Sequence, residues 1–151
     1  MVIAVMGAAG NVGSKVADLL LREGEQVRAL EHRRDLTALA ARGAEVVSGD
    51  ALDVEALRAL FAWVRSALVL LPEDVADPAF VANRSRMGRA IRDALEVSGV
   101  THVVALSFVG AARADAPGPS AGLLEFERLL GELDAVNVLA LRSAMYMDYL
   151  L

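Results

Sequence analysis

Val2-Ile3-Ala4-Val5-Met6-Gly7-Ala8-Ala9-Gly10-Asn11-Val12-Gly13 runs from an apolar strand through a glycine turn into a helix, and the architecture of the remaining chain follows from it. The residues from Val2 to Met6 are uniformly apolar, as in a strand buried on both faces. From Asn11 onward Val12, Val16, Leu19 and Leu20 fall at helical spacing. Between them Gly7, Gly10 and Gly13 stand in a G-x-x-G-x-x-G pattern. A glycine at the strand end permits a tight turn, small residues let the backbone approach a pyrophosphate, and the last glycine lets the helix pack close to the sheet. The helix N-terminus then offers free N–H groups and a partial positive charge. Gly7, Ala9, Gly10, Asn11, Val12 and Gly13 are therefore candidate dinucleotide-binding residues. Glycines that merely make a tight turn are the structural alternative; the placement between strand and helix favours phosphate binding.

Outward from this unit, short apolar runs alternate with helical patterns. Val2–Met6, Gln26–Glu31, Glu45–Ser48, Ala67–Leu71, His102–Ser107 and Val136–Leu141 read as strands. Helices are expected at about Asn11–Glu23, Leu36–Arg42, Val54–Val64, Phe80–Val97 and Ala121–Leu133. Gly24, Gly43 and Gly99 follow three of them, where a left-handed cap favours glycine, and Asp35 and Asp53 precede two, where a carboxylate caps free N–H groups. This alternation predicts an α/β fold: a doubly wound parallel sheet of order 3-2-1-4-5-6 in a single domain over residues 1–151. The Pro- and Gly-bearing stretch Ala111–Gly122 is a loop long enough to line a site.

The end of the second strand governs the ribose. Glu31 stands where a carboxylate accepts hydrogen bonds from a 2′-OH, which favours NAD. His32, Arg33 and Arg34 follow at once, and guanidinium groups suit the 2′-phosphate of NADP, although such charges equally open a solvated helix. The cofactor is therefore expected to be NAD or NADP, with NAD favoured. Asp50, after the third strand, suits an adenine edge or a turn. Leu71 at the end of the fourth strand and Ser107 at the end of the fifth lie where a doubly wound sheet opens its crevice.

Composition removes other classes. With 15 Lys and Arg against 20 Asp and Glu the formal charge is −5, which argues against nucleic acid. There are no cysteines and only two histidines, His32 and His102, so no disulfide, thiolate catalysis or metal site is expected. The apolar share of 56% and mean hydropathy of +0.45 are high. Yet no run approaches the ~20 residues of a bilayer helix, and the N-terminus lacks a basic segment of the kind that starts a signal peptide. A cytoplasmic protein is expected. The apolar excess has two candidate sources, a sheet covered on both faces and a surface covered by something else.

Taken in order, the glycine turn, Val27-Arg28-Ala29-Leu30, Gly49-Asp50, Leu70-Leu71-Pro72, Ser107, Leu124-Glu125-Phe126-Glu127-Arg128-Leu129-Leu130 and Leu141-Arg142 make the chain resemble the NmrA-like branch of the atypical short-chain dehydrogenase/reductases. The resemblance covers the whole chain. It implies a Rossmann domain that binds NAD(H) or NADP(H), with members that reduce quinones or related small acceptors and others that only sense the dinucleotide. The chain departs from the pattern at four places. His32 stands where an arginine is common, Leu123 and Leu124 where related reductases carry a lysine, and Ser143 where a proline is usual. Relatives also continue beyond Met145–Leu151 into a C-terminal lobe, so that the sequence is expected to be a truncated form, an incomplete chain, or a bare dinucleotide domain completed by a partner.

The chemistry that follows is restricted. Lys15 is the single lysine, and no Tyr-x-x-x-Lys pair occurs. Ser107 and Tyr146 remain as weak catalytic candidates, each with a structural alternative in backbone satisfaction or packing. Hydride transfer to a quinone-like acceptor does not require the Tyr-Lys pair. Two functions stand: an NAD(P)H-dependent reductase of a small hydrophobic acceptor, and a non-catalytic dinucleotide sensor. The mostly apolar segment Ala144–Leu151 points to a homodimer or a completing partner.

Overall fold

Short apolar strands connected by helices leave one economical solution, a parallel sheet with right-handed crossovers, and this is the arrangement found. The structure is a computed structural model that describes residues 1–32, 35–74, 76–113 and 120–144, without the Glu31 side chain. Its strands are β1 (Val2–Val5), β2 (Gln26–Glu31), β3 (Glu45–Ser48), β4 (Ser66–Val69), β5 (His102–Phe108) and β6 (Asn137–Ser143). They form one sheet of order β3-β2-β1-β4-β5-β6, parallel throughout, as the alternation predicts. Val5 is in register with Ala29 of β2 and Leu68 of β4, so the sheet diverges on either side of the glycine turn.

The helices are α1 (Asn11–Arg22), α2 (Thr37–Ala40), α3 (Val54–Phe61), α4 (Phe80–Glu96) and α5 (Leu123–Gly131). Because side chains alternate along a strand, Ala4 and Met6 face one layer, built from Leu57, Leu60, Phe61, Ile91, Leu95, Phe126 and Leu130 of α3, α4 and α5. Val5 faces the other, with Ala17 of α1 and Leu39 of α2. Two covered faces account for much of the apolar excess. On the α1/α2 face the cover does not reach the sheet edge: Leu139 and Leu141 of β6, in register with Val104 and Leu106, are 59% and 51% exposed.

Element ends differ from expectation for local reasons. α3 stops three residues early because Ala62 is extended and Trp63 is left-handed at φ 60°. That break turns carbonyl oxygens toward Arg28 of β2, whose Nη1 donates to Ala59, Leu60 and Ala62 at 3.0, 3.3 and 2.6 Å. Gly24 and Gly43 have positive φ as expected, and Gly99 does not. At the end of α4 the work falls to Ser98, whose amide and hydroxyl both donate to the Leu95 carbonyl. Part of the expected loop after β5 is a 3-10 turn, Val109–Ala112.

Candidate functional site

The turn from β1 to α1 is built from backbone alone. Gly7 takes φ +65°, and its carbonyl accepts from the Gly10 amide at 2.8 Å, closing the turn. A Cβ on Gly7 would stand 2.7 Å from the Leu70 side chain, and one on Gly13 would stand 2.2 Å from the Gly7 oxygen and 2.9 Å from that of Met6. The first turn of α1 is thus pressed against the end of β1, a contact that only glycine allows. At Gly10 a Cβ meets nothing closer than the Gly7 oxygen at 3.3 Å, so its outer side is open. No side chain caps α1, and its first turn carries no acid. The amides at the helix start, Asn11, Val12 and Gly13, keep their donors and the positive end of the helix dipole for a ligand. This donor set fits a pyrophosphate.

Beside the turn lie the ends of β2 and β3. The Glu31 backbone is in register with Ser48, while its side chain, Arg33 and Arg34 are outside the described residues. His32 is described: its Nδ1 lies 3.8 Å from Asp50 Oδ2. Asp50 Oδ1 accepts from the Leu52 amide at 2.6 Å, so this residue both forms the turn and presents charge to the rim. A cavity of about 340 Å³ opens between the glycine turn, α1 and α2, lined by Ala8, Ala9, Ser14, Asp18, Asp35, Leu36, Ala38, Leu39 and Arg42. Asp35 accepts from both the amide and the hydroxyl of Thr37, which hold its carboxyl below the usual carboxylate range. In sequence it is legible only as a helix cap; its place on this cavity depends on how α2 packs.

On the other side of β1, Leu71 is buried in the core at 4% exposure, so only its backbone is available to the crevice, and Leu70 is the side chain that touches the turn. Sequence reasoning placed Leu70 in a strand but did not single it out; nothing distinguishes it from its apolar neighbours. Ser107, buried at the end of β5, donates to Glu127 Oε1 of α5 at 2.5 Å. Arg142 of β6 donates to both Glu127 oxygens, from Nε at 3.0 Å and from Nη2 at 2.6 Å. The Arg142 guanidinium, and then the Ser107 hydroxyl, hold the Glu127 carboxyl below its ordinary range against the opposing effect of burial. The Ser107 proton is committed to this network, which leaves its oxygen as an acceptor. Leu123, at the start of α5, is buried in the core. Tyr146 lies outside the described residues. No described helix is long and apolar enough to cross a membrane, and no group of three His, Asp or Glu among the described residues is placed to hold a metal ion.

Comparison with known proteins agrees with this geometry. The model of the NmrA-like family matches residues 1–121. An NmrA-like family domain-containing oxidoreductase of Aspergillus sp. (strain MF297-2) is 37% identical over 116 residues, covering 71% of this chain and 34% of its own length. Among solved structures, the triphenylmethane reductase of Citrobacter sp. complexed with NADP(H) superposes with a TM-score of 0.81 at 24% identity, over 99% of this chain and 52% of that one. An NADPH-dependent quinone oxidoreductase of Escherichia coli gives a TM-score of 0.73 at 25% identity, over 99% and 50%. The chain spans about a third of the curated relative and about half of these solved structures.

Proposed function

The chain belongs to the NmrA-like family, and from that premise we propose that it binds a nicotinamide dinucleotide at the Gly7–Gly13 turn and reduces a small hydrophobic acceptor such as a quinone. The observation that carries this reading is the uncapped start of α1, seated on β1 through the Gly13–Gly7 contact, which leaves backbone donors for a pyrophosphate. The relatives described as reductases of a dye and of quinones, with NADP(H) and NADPH, support the reaction class.

In this reading the turn residues Gly7, Ala9, Gly10, Asn11, Val12 and Gly13 hold the pyrophosphate. Glu31 accepts from the ribose 2′-OH and so favours NAD, while His32 and Arg33 border the same ribose. Asp50 faces the adenine edge. Leu70 and the Leu71 backbone wall the crevice on the β4 side. The bound nicotinamide, when reduced, supplies the hydride. Ser107 takes no proton-donor role, because its hydrogen belongs to Glu127; the acceptor draws its proton from water. The protein works in the cytoplasm, where reduced dinucleotides are maintained, and the exposed Leu139 and Leu141 at the edge of β6 favour a homodimer or a completing partner.

The test is oxidation of NADH and NADPH against a panel of quinones, followed as loss of reduced nicotinamide. Turnover with any of them supports the reductase. Saturable binding without turnover points to the second reading, a dinucleotide sensor. That reading is favoured by Ser107, which among the described residues at the end of β5 already donates its proton to Glu127.

A further inference from the structure

The two edges of the sheet are unlike. β3, on one side, is four residues long, and its Glu45 carboxylate is tied to Arg28 Nε at 2.8 Å. β6, on the other, runs seven residues, Asn137-Val138-Leu139-Ala140-Leu141-Arg142-Ser143, with no proline, lysine or acid in it. Short length, proline and unpaired charge are what ordinarily keep a sheet edge from pairing with another chain. β6 has none of them, because its one charge, Arg142, is held by Glu127. The Asn137 amide donates to the Thr101 carbonyl at 2.9 Å. By the alternation of a strand, the backbone groups of Leu139 and Leu141 then also face β5, and those of Val138, Ala140 and Arg142 face away from it. Among the described residues no strand lies beyond β6. The side chains alternate between the two faces: Val138 packs against the core and Arg142 reaches Glu127, whereas Leu139 and Leu141 stand exposed on the face that α1 and α2 do not cover.

We propose that β6 is the interface for a second copy of this chain, pairing antiparallel with the partner's β6 across a two-fold axis at Ala140 and joining two six-stranded sheets into one. The register selects this centre. Ala140 and the partner's Ala140 exchange both backbone hydrogen bonds, and each Leu139 stands directly opposite the partner's Leu141, in the closely spaced positions between the hydrogen-bonded pairs. Leucines that each chain leaves in water thus form one cluster of four, a self-complementary patch of the kind a two-fold interface requires. A centre at Arg142 would set two guanidinium groups against each other, and a centre at Val138 would set Leu139 against Asn137. An edge of seven residues falls below the about 1,200 Å² of standard interfaces, so the association should be weak, in the micromolar range. The inference deepens the homodimer reading proposed above by giving it a surface and a register, and it is independent of the coenzyme.

The test is sedimentation velocity of the native chain, Ala140→Pro and Leu141→Lys from about 2 to about 200 µM, a range that spans the affinity expected of so small an interface. Ala140→Pro removes a backbone donor that faces away from β5, a position where an edge strand tolerates proline, and Leu141→Lys charges the leucine cluster; urea midpoints confirm that both fold. The native chain should pass reversibly from monomer to dimer, and each variant should weaken this by about tenfold or more. Because the chain has no cysteine, a single introduced thiol reports the register. Ala140→Cys should form a disulfide-linked dimer under mild oxidation, since paired residues on neighbouring strands lie within disulfide reach. Val46→Cys, exposed on the opposite edge strand β3, should not. A native chain that stays monomeric across the range overturns the homodimer reading and this proposal together. A native dimer that neither variant weakens, and that Ala140→Cys does not link, overturns this interface and leaves the homodimer reading standing on another surface.

Discussion

Gly13→Ala adds one methyl group at the tightest point of the molecule. Its Cβ would lie 2.2 Å from the Gly7 oxygen and 2.9 Å from the Met6 oxygen, and both obstacles are backbone. Neither can rotate away, so the start of α1 must retreat from β1 by close to an ångström. That movement lifts Ala17, fully buried, from its place against the sheet, along with Val16 and Leu20 that pack around it. Overpacking of this kind costs about 1–3 kcal/mol, offset by at most about 1 kcal/mol of helix propensity gained over glycine. A net loss of about 1–2 kcal/mol is expected, which for a domain of this size lowers the melting temperature by roughly 2–8 °C. Gly131→Ala is the matched control. It lies in α5 with nothing within 4 Å of the new Cβ, and it should be neutral or stabilising by up to about 1 kcal/mol. Urea unfolding with unchanged m-values measures both. Should Gly13→Ala prove as stable as the native chain, the close approach of α1 to β1 is not there, and the phosphate turn built on it falls.

Two further perturbations address the frame around the site. Arg28→Met keeps an apolar stem but strands the carbonyls of Ala59, Leu60 and Ala62 and frees Glu45 Oε2, which Arg28 Nε holds at 2.8 Å. A loss of about 1.5–3 kcal/mol is expected in urea, and a loss below about 0.5 kcal/mol would contradict the capping role. Glu127→Gln removes the charge that Arg142 and Ser107 stabilise. Because the carboxyl is depressed in the folded state, its contribution is complete above the unfolded-state value of about 4.5 and is lost as pH falls through the lower folded value. The native chain should therefore exceed Glu127→Gln by about 1 kcal/mol at neutral pH, and the two should converge in acid. A difference independent of pH would place the effect in packing rather than in the ion pair.

The glycine turn was legible in sequence because it is made of backbone: where side chains must be missing, glycine spacing states the geometry directly. The sheet order was legible for a related reason, since apolar strands alternating with helices leave few unknotted, right-handed solutions. What depended on packing was not. Ser107 and Glu127 stand 20 residues apart, and their bond exists only because α5 crosses the end of β5 in one particular setting. Glu127 was readable as a residue on a helix face but not as the acceptor for both Ser107 and Arg142. Asp35 was readable as a cap, but the N-cap of α2 is Leu36 and Asp35 instead accepts from the Thr37 amide two residues on; its place on the Ala9 cavity appears only once α2 is placed. At β4 the apolar run Ala67–Leu71 did not reveal that the strand starts at Ser66 and ends at Val69, which brings Leu70 against Gly7 and turns Leu71 inward.

Binding of NAD by the native chain and by Gly10→Val, measured by calorimetry, tests the central claim most directly. Gly10 has extended backbone angles open to any residue, and the outer side of its Cβ position is free. A valine there leaves the fold cooperative in urea while placing its branched side chain in the phosphate path. The expected result is saturable binding of one NAD per native chain and none by Gly10→Val. A native chain that binds neither NAD nor NADP, or a folded Gly10→Val that binds both as the native chain does, would contradict the account.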